Sequence, residues 1–278
     1  MSPFLTIVGN LRQAMSFFAA ATDRGAVKEE PGLTLVSSGI DYGVFNSAIL
    51  ASPVWALKEL EALLGAARAH YEGLGLPWSC WICEDLCDKR LRSPLKQLLL
   101  LYGLTESNCH PGMIAERLKP PRRLLPALEI RRVADAVTRR DFCQVTSLAF
   151  RLPLAVASRA YEAEPPWHGG LVGWVGYLEG APVSTAAAIA AAGAVGVYSV
   201  STVPLFERRG FAEAMLRHAV EERRRVSGFE QTVLQATQAG WSLYERLGYR
   251  QVTTFKVYLS APPPALREHR HLLDNRRV

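Results

Sequence analysis

The sequence lacks any long apolar run. Among its 278 residues no stretch of about 18 apolar residues is free of breakers, and the alanine-rich segment 186–194 is weakly hydrophobic and contains a glycine. The N-terminus also lacks the basic patch, apolar core and small-residue cleavage site of a signal peptide. We therefore expect a soluble, cytoplasmic protein that has no membrane partner.

Cysteine is scarce and unevenly spaced. The five cysteines form an odd set, which argues against a disulfide framework and fits reduced thiols. Cys80 and Cys83 have the C-x-x-C spacing of a zinc site, and Cys87 follows them. The surrounding residues form an apolar, strand-like run without a turn glycine, and no second pair follows. The sequence therefore predicts buried free thiols and no metal site.

The charge of one half is balanced, and that of the other is not. The net charge of +6 lies entirely in residues 130–278, because basic and acidic residues are equal in number over residues 1–129. This excess favours an anionic partner. Its densest runs, Arg223–Arg225 and Arg276–Arg277, have no interleaved aromatic residues and are typical of a solvated helix face and a chain end. We therefore predict no nucleic-acid partner.

The length suggests two domains, although one large domain is the alternative. A proline- and arginine-rich segment at 119–126 cannot continue a helix, and we place the boundary there. The predicted units are an N-terminal α/β domain at 1–127, a second domain at 128–261 and a tail at 262–278. Periodicity in the first unit predicts helices at 3–22, 54–74 and 93–102, and strands at 44–50 and 77–83.

The second unit has a more specific order of elements. The pattern predicts a strand at 129–137, helices at 139–150 and 153–161, strands at 171–178, 183–191 and 195–203, a helix at 209–226, a strand at 229–235, a helix at 239–247 and a strand at 249–259. Short glycine-containing turns join the three central strands. These strands should therefore be sequential and antiparallel.

A strand, a short cationic loop and a helix N-terminus follow one another from Tyr198 to Leu216. Arg208, Arg209 and Gly210 lie in the loop. Free backbone N–H groups and the helix dipole can bind a diphosphate at such a junction, and glycine lets the backbone approach the anion. The alternative is an ordinary strand-to-helix turn that happens to contain glycine and arginine.

Two blocks in residues 129–260 resemble the GNAT superfamily of N-acetyltransferases. The family's cofactor loop, Gln/Arg-x-x-Gly-x-Gly/Ala, is matched by Glu207-Arg-Arg-Gly-Phe-Ala212, in which Glu207 departs from the pattern. The block Ala236–Tyr249 is similar to the family's helix that ends in Leu-Tyr-Glu-x-Leu-Gly-Phe/Tyr. The resemblance implies an α/β (α+β) fold with a mixed, mostly antiparallel twisted sheet flanked by helices.

The resemblance also implies acetyl-CoA as co-substrate. The strand at 195–203 would splay from the strand at 229–235 and pair with the pantetheine arm, and a backbone N–H there would polarise the thioester carbonyl. Tyr244 would protonate the CoA thiolate; its alternative is an aromatic residue on the apolar face of a helix. The implied cofactor-binding residues are Val200, Ser201, Thr202, Arg208, Arg209, Gly210, Phe211, Ala212 and Thr237.

The acceptor site has weaker sequence signals. Candidate bases are Glu162, Glu164 and His168, each of which could instead be a solvated surface residue. Trp167 and the neighbouring prolines could contact a small-molecule or peptide amine as it enters over the loop at 161–170.

The N-terminal half has one short echo of the second block, in residues 98–104. It is similar to a degenerate acetyltransferase half that would shape the acceptor site or a homodimer surface. Two functions follow from the whole sequence. The first is an acetyl-CoA-dependent N-acetyltransferase that acts on a primary amine by direct attack. The alternative is a catalytically weak or inactive acyl-CoA-binding module with a regulatory or scaffolding role.

Overall fold

A computed structural model describes residues 2–261, and the predicted tail at 262–278 lies outside this range. The described chain forms one eleven-stranded sheet in the order β1-β2-β3-β4-β11-β5-β10-β9-β8-β7-β6. The strands are β1 Ala26–Glu30, β2 Leu33–Ser37, β3 Ser47–Leu50, β4 Ser79–Cys83, β5 Leu104–Ala115, β6 Glu129–Arg132, β7 Leu171–Leu178, β8 Ala181–Ala191, β9 Ala194–Thr202, β10 Thr232–Gln235 and β11 Arg250–Ser260. The helices are α1 Pro3–Met15, α2 Leu57–Leu74, α3 Arg92–Leu101, α4 Ala136–Phe150, α5 Leu154–Tyr161, α6 Phe211–Ser227 and α7 Trp241–Leu247.

The two halves of the chain repeat one order of elements. Strands β1, β2 and β3, helix α2, strand β4, helix α3 and strand β5 correspond in order to β7, β8, β9, α6, β10, α7 and β11. The pairing repeats as well. Among the described strands only β3 with β4, and β9 with β10, pair in parallel, while the other neighbours are antiparallel. The mixed, mostly antiparallel sheet flanked by helices is as predicted.

The halves exchange their last strands. Strand β5 lies between β10 and β11, and β11 lies between β4 and β5. The register pairs Gln235 with Gly112 on one side of β5 and Phe255 with His110 on the other. Each half's sheet is therefore completed by a strand from the other half, and the hydrophobic cores share residues across the chain.

Helix α1 fastens the N-terminal half onto the second half. The buried Asn10 side chain donates to the carbonyls of Ala191 and Ala194 at 2.8 and 3.0 Å, and its oxygen accepts from the Tyr198 hydroxyl at 2.8 Å. Gly196 makes this contact possible, because a Cβ at that position would overlap the Asn10 side-chain oxygen. The contact lies beside Gly196 and Val233, the last residue pair of β9 and β10 before the two strands separate.

The elements predicted in the second half are present with small shifts. The strand predicted at 129–137 is shorter, because Asp135 accepts a hydrogen bond from the Thr138 backbone N–H at 2.8 Å and caps helix α4.

The helix predicted at 3–22 is α-helical only to Met15 and continues as a 3-10 helix to Ala20.

Three strands of the N-terminal half were not predicted. Strand β1 is a charged, exposed edge strand with the sequence Ala-Val-Lys-Glu-Glu, and β2 follows it across a tight turn. Strand β5 begins with a polar, exposed stretch and contains Pro111, features that are typical of a loop. These segments become strands because neighbouring strands, remote in sequence for β5, supply their hydrogen-bond partners.

The cysteine cluster is buried as predicted. Cys80, Cys83 and Cys87 are free thiols, and burial raises the pKa of Cys80 to about 12. No group of His, Cys, Asp and Glu within residues 2–261 is arranged to hold a metal ion. No helix in that range is both long and apolar enough to cross a bilayer.

Candidate functional site

The parallel strands β9 and β10 separate soon after they meet. Their ladder has two residue pairs, Val195 with Thr232 and Gly196 with Val233, and the Val195 N–H donates to the Gln231 carbonyl at 2.9 Å. Beyond Gly196 strand β9 continues to Thr202 with β8 on one side. The other side of β9 therefore faces a gap, in which the backbone can pair with an extended ligand.

An irregularity in β9 lies beside this gap. The register between β8 and β9 shifts after Ala187–Tyr198, and Ser199 has a left-handed φ of 47°. The Thr185 hydroxyl on β8 donates to the Ser199 carbonyl at 2.9 Å and meets the Ser201 hydroxyl at 2.5 Å. These bonds hold the bulged segment that contains Val200, a residue that the family resemblance implies for binding the pantetheine arm.

The predicted diphosphate turn directly follows β9. Arg208 and Gly210 both have left-handed backbones, with φ of 62° and 94°, and the long helix α6 begins at Phe211. Within residues 2–261, no side chain accepts a hydrogen bond from the backbone N–H groups of 208–213. The helix dipole and these free donors favour an anion at the turn.

Cationic side chains surround the turn. The Arg209 guanidinium lies 5.4 and 5.2 Å from the ring centres of Phe206 and Phe211, so its position is fixed by two aromatic faces. Arg208 is exposed, and Glu207 is exposed as well. Ala212, half-buried in the first turn of α6, completes the set of residues predicted here.

The segment between the halves passes over α6 and α7. The Lys119 N–H donates to the Leu247 carbonyl at 2.8 Å, and Arg217 donates to the Lys119 carbonyl at 2.7 Å. Arg123 then reaches the Arg208 carbonyl at 3.5 Å. The linker thus adds a further cation next to the turn, which the sequence did not predict.

Helix α7 brings Tyr244 to the α6 side of the sheet. Thr237 closes the turn before this helix, because its hydroxyl and carbonyl accept from the N–H of the N-cap residue Gly240. Tyr244 is buried beside Tyr249, and desolvation raises its pKa to about 12. No hydrogen bond within residues 2–261 engages its hydroxyl. A phenol in this state keeps its proton at neutral pH and can donate it to a ligand.

The predicted acceptor residues do not gather at the gap. Trp167 is buried, donates to the Tyr161 carbonyl at 2.8 Å and packs against Phe17. His168 and Glu164 form an exposed pair at 3.2 Å. Glu162 accepts from the Ser158 hydroxyl at 2.7 Å, beside Cys143 of α4. None of these three polar residues contacts β9 or β10 in the described hydrogen bonds.

Gln235, a polar residue that the sequence analysis did not single out, lies at the gap instead. Side chains of β10 alternate, so that Gln235 lies on the α1 side with Val233, while Leu234 and Ala236 pack on the α6 side. The Gln235 amide nitrogen is buried, and the Gln235 side chain lies next to that of Tyr198. The one sequence signal here is a polar residue at the end of an apolar strand, which is too general to identify a site.

Solved structures share this fold over nearly the whole chain. A GCN5-related N-acetyltransferase from Kribbella flavida is 20% identical, with 94% of this chain and 96% of that chain covered and a TM-score of 0.69. A tandem GNAT protein from the clavulanic acid biosynthesis pathway is 12% identical, with 92% and 95% covered and a TM-score of 0.55. A GCN5-related N-acetyltransferase from Sphaerobacter thermophilus is 16% identical, with 84% and 78% covered and a TM-score of 0.53.

No protein-family model matches the sequence, and the comparison with curated proteins gives no match. The structural similarity nevertheless covers both halves of the chain. The chain therefore has the GNAT fold, in the double arrangement that the repeated order of elements predicts.

Proposed function

We propose that this chain is an acetyl-CoA-dependent N-acetyltransferase that acylates a primary amine of a small molecule or peptide. The observation that supports this most is the opened strand pair β9/β10, which leads directly into an uncapped, cationic helix N-terminus. CoA requires both features, because it has an extended pantetheine arm and a diphosphate.

In the proposed reaction the amine attacks the thioester carbonyl carbon directly. Backbone groups of Val200, Ser201 and Thr202 bind the pantetheine arm, and Arg208, Arg209 and the N–H groups of 210–212 bind the phosphates. Tyr244 gives its proton to the sulfur as the C–S bond breaks. Because a thiol has a pKa near 8.5, this acid need contribute only about 10- to 100-fold in rate.

We also propose that residues 1–127 are a degenerate copy of the same unit. The repeated order of elements and the repeated parallel strand pair support this interpretation. In the proposed arrangement this half supplies α1 and β5 to the second half and binds no CoA of its own.

An acyl-CoA-binding module without turnover is the second candidate. Glu207 stands where the family has Gln or Arg, and Glu162, Glu164 and His168 lie away from the gap. These observations favour binding without catalysis unless another base serves the site.

The deciding experiment combines calorimetric binding of acetyl-CoA with thiol release in the presence of an amine panel. We expect one equivalent of acetyl-CoA to bind and thiol release to depend on the amine. Tyr244→Phe should lower kcat about 10- to 100-fold and leave acetyl-CoA affinity unchanged, because only the acid is removed.

Tyr102→Phe is the matched control, since Tyr102 follows helix α3 in the N-terminal half and donates to the Glu61 carbonyl. It should keep wild-type turnover. Binding of acetyl-CoA with no release on any amine would favour the binding module. Absence of acetyl-CoA binding would refute both candidates.

A further inference from the structure

His110 lies on β5, the strand that the N-terminal half inserts into the second half's sheet. On one side of β5, His110 pairs with Phe255 of β11. On the other side, it lies just beyond Gly112, which forms the last ladder pair with Gln235 of β10. Alternation along β5 places His110 on the same face as Ile114, which packs in the α1-side core, and opposite Met113. His110 and Gln235 are therefore diagonal neighbours on one face, at the end where β10 leaves β9.

A proline fixes the tautomer of this histidine. The Ala236 N–H donates to the Pro111 carbonyl at 2.8 Å, but Pro111 has no N–H with which to return the bond. The His110 Nδ1 lies 3.2 Å from the Ala236 carbonyl oxygen and replaces the missing donor. Because a carbonyl oxygen can only accept, Nδ1 carries the proton and Nε2 is left with its lone pair.

The surroundings keep the ring neutral and hold it in place. Trp81 stacks on the imidazole, with ring centres 5.6 Å apart and planes 13° apart. Burial lowers the pKa of His110, and the bond to Ala236 opposes this. Of the charged groups on neighbouring strands, Lys256 on β11 pairs with Glu84 after β4 at 3.1 Å. The thiol of Cys83 on β4 meets the Thr253 hydroxyl at 3.1 Å.

A base and an acid on opposite faces of the sheet suit the proposed reaction. Tyr244 packs with residues on the α6 side of the sheet, and alternation along β5 places His110 on the opposite face, beside the end of β10. The incoming amine and the departing thiolate then each meet a proton-transfer group on their own side. Gln235 lies on the same α1 side, where its buried amide nitrogen is next to the Tyr198 side chain.

Resting on the acetyltransferase function proposed above, we propose that His110 Nε2 is the general base for the acceptor amine. As the C–N bond forms, Nε2 takes one proton from the attacking nitrogen. The tetrahedral intermediate then collapses, the C–S bond breaks, and Tyr244 protonates the sulfur. Solvent carries the proton from the imidazolium to the Tyr244 phenolate, so that both groups are restored and an amide and free CoA leave.

The test uses the full chain with acetyl-CoA and the amine that gives the greatest thiol release. His110→Gln can still donate to Ala236 but cannot take up a proton. We expect kcat to fall about 100-fold while acetyl-CoA affinity stays that of the wild type. The wild-type rate should fall as the pH drops through the His110 pKa, and this limb should be absent in the variant.

His70→Gln is the control, because His70 on α2 is half-buried like His110 and, among the residues that the structure describes, hydrogen-bonds only with Ser37 of the N-terminal half. A second readout is the imidazole 15N spectrum. We expect an unprotonated Nε2 at pH 7 and a shift in its resonance when acetyl-CoA is added. Wild-type kcat in His110→Gln, a protonated Nε2, or a resonance that acetyl-CoA leaves unchanged would each overturn the assignment.

These outcomes separate the two proposals. If the wild type releases thiol and His110→Gln does so equally well, the acetyltransferase function stands and the base is another group. If the wild type releases no thiol with any amine, the acetyltransferase function fails and the role of His110 fails with it.

Discussion

The parallel strand pairs of the two halves begin alike and end differently. In the N-terminal half β3 and β4 share a ladder of three pairs, and the chain then bridges again at Val54 and Cys87. The Val54 N–H donates to the Leu86 carbonyl at 2.7 Å, and the Asp88 N–H donates to the Val54 carbonyl at 3.0 Å. In the second half β9 and β10 share two pairs and stay apart. The strand pair of the N-terminal half therefore stays bonded beyond its ladder, whereas β9 and β10 of the second half separate and leave a gap.

The helix termini beside the two pairs differ in the same way. The Glu59 carboxylate accepts from the backbone N–H groups of Trp55 and Ala56 and so occupies the start of α2. The start of α6 has Gly210 and no such acceptor. The continued strand pairing and the Glu59 contacts thus distinguish the N-terminal strand pair from the open pair β9/β10.

The largest effect should come from the contact that joins the halves. Gly196→Ala forces a Cβ onto the buried Asn10 amide, so that overpacking and the loss of its hydrogen bonds should lower the free energy of unfolding by about 3 kcal/mol. Gly73→Ala on α2 meets no atom within 4 Å and should be slightly stabilising. Urea denaturation measures both, and equal stabilities would show that α1 is not fastened at the gap.

Reopening the closed strand pair should have an intermediate effect. Val54→Pro removes the N–H that bonds to Leu86 and should lower the free energy of unfolding by about 1 to 3 kcal/mol more than Val54→Ala, which keeps that N–H. Calorimetry should still find one acetyl-CoA per chain. A second equivalent in the variant would mean that the N-terminal half retains a latent site.

The smallest effect concerns two histidines, one in each half. Burial lowers the pKa of His70 on α2 and of His218 on α6 below the value of 6.5 that an unfolded chain has. The unfolded state therefore binds protons first as the pH falls, and the free energy of unfolding should decrease below about pH 6.5. Both side chains are half-buried, so each should contribute less than about 1 kcal/mol.

Denaturation at pH 7.5 and pH 5 in His70→Gln and His218→Gln measures these contributions. Because the halves exchange strands, each substitution should reduce the pH dependence of a single transition. Two transitions that respond separately to the two substitutions would show that the halves unfold independently, and the exchange would then be weaker than the register suggests.

Much of the second half could be predicted from its sequence. The glycine turns at 179–180 and 192–193 gave the antiparallel strands, and Gly210 after two arginines gave the turn at α6. The N-terminal half was harder, because β1 is charged and β5 reads as a polar loop up to Pro111. Their pairing depends on strands elsewhere in the fold, which local periodicity does not report.

Only the cofactor side of the candidate site, next to α6, could be predicted from the sequence. Of the residues that the family resemblance implies for the cofactor, all but Thr237 lie within one stretch of sequence, 200–212, where a local motif can indicate them. Asn10, His110 and Gln235 lie on the α1 face, and each is at least a hundred residues from the next along the chain. No pattern links such residues before the strands are placed.

By itself the sequence determined the strands and helices of the second half, the cationic turn and the tyrosine on α7, since each depends on residues close together in the chain. Only the tertiary structure decided that β5 and β11 change places, that the first strand pair bridges again at Val54 and Cys87, and that His110 lies beside the end of β10. Hydrogen bonding across a sheet joins segments regardless of their distance in sequence. Here it pairs β5, from the N-terminal half, with β10, which borders the gap beside β9.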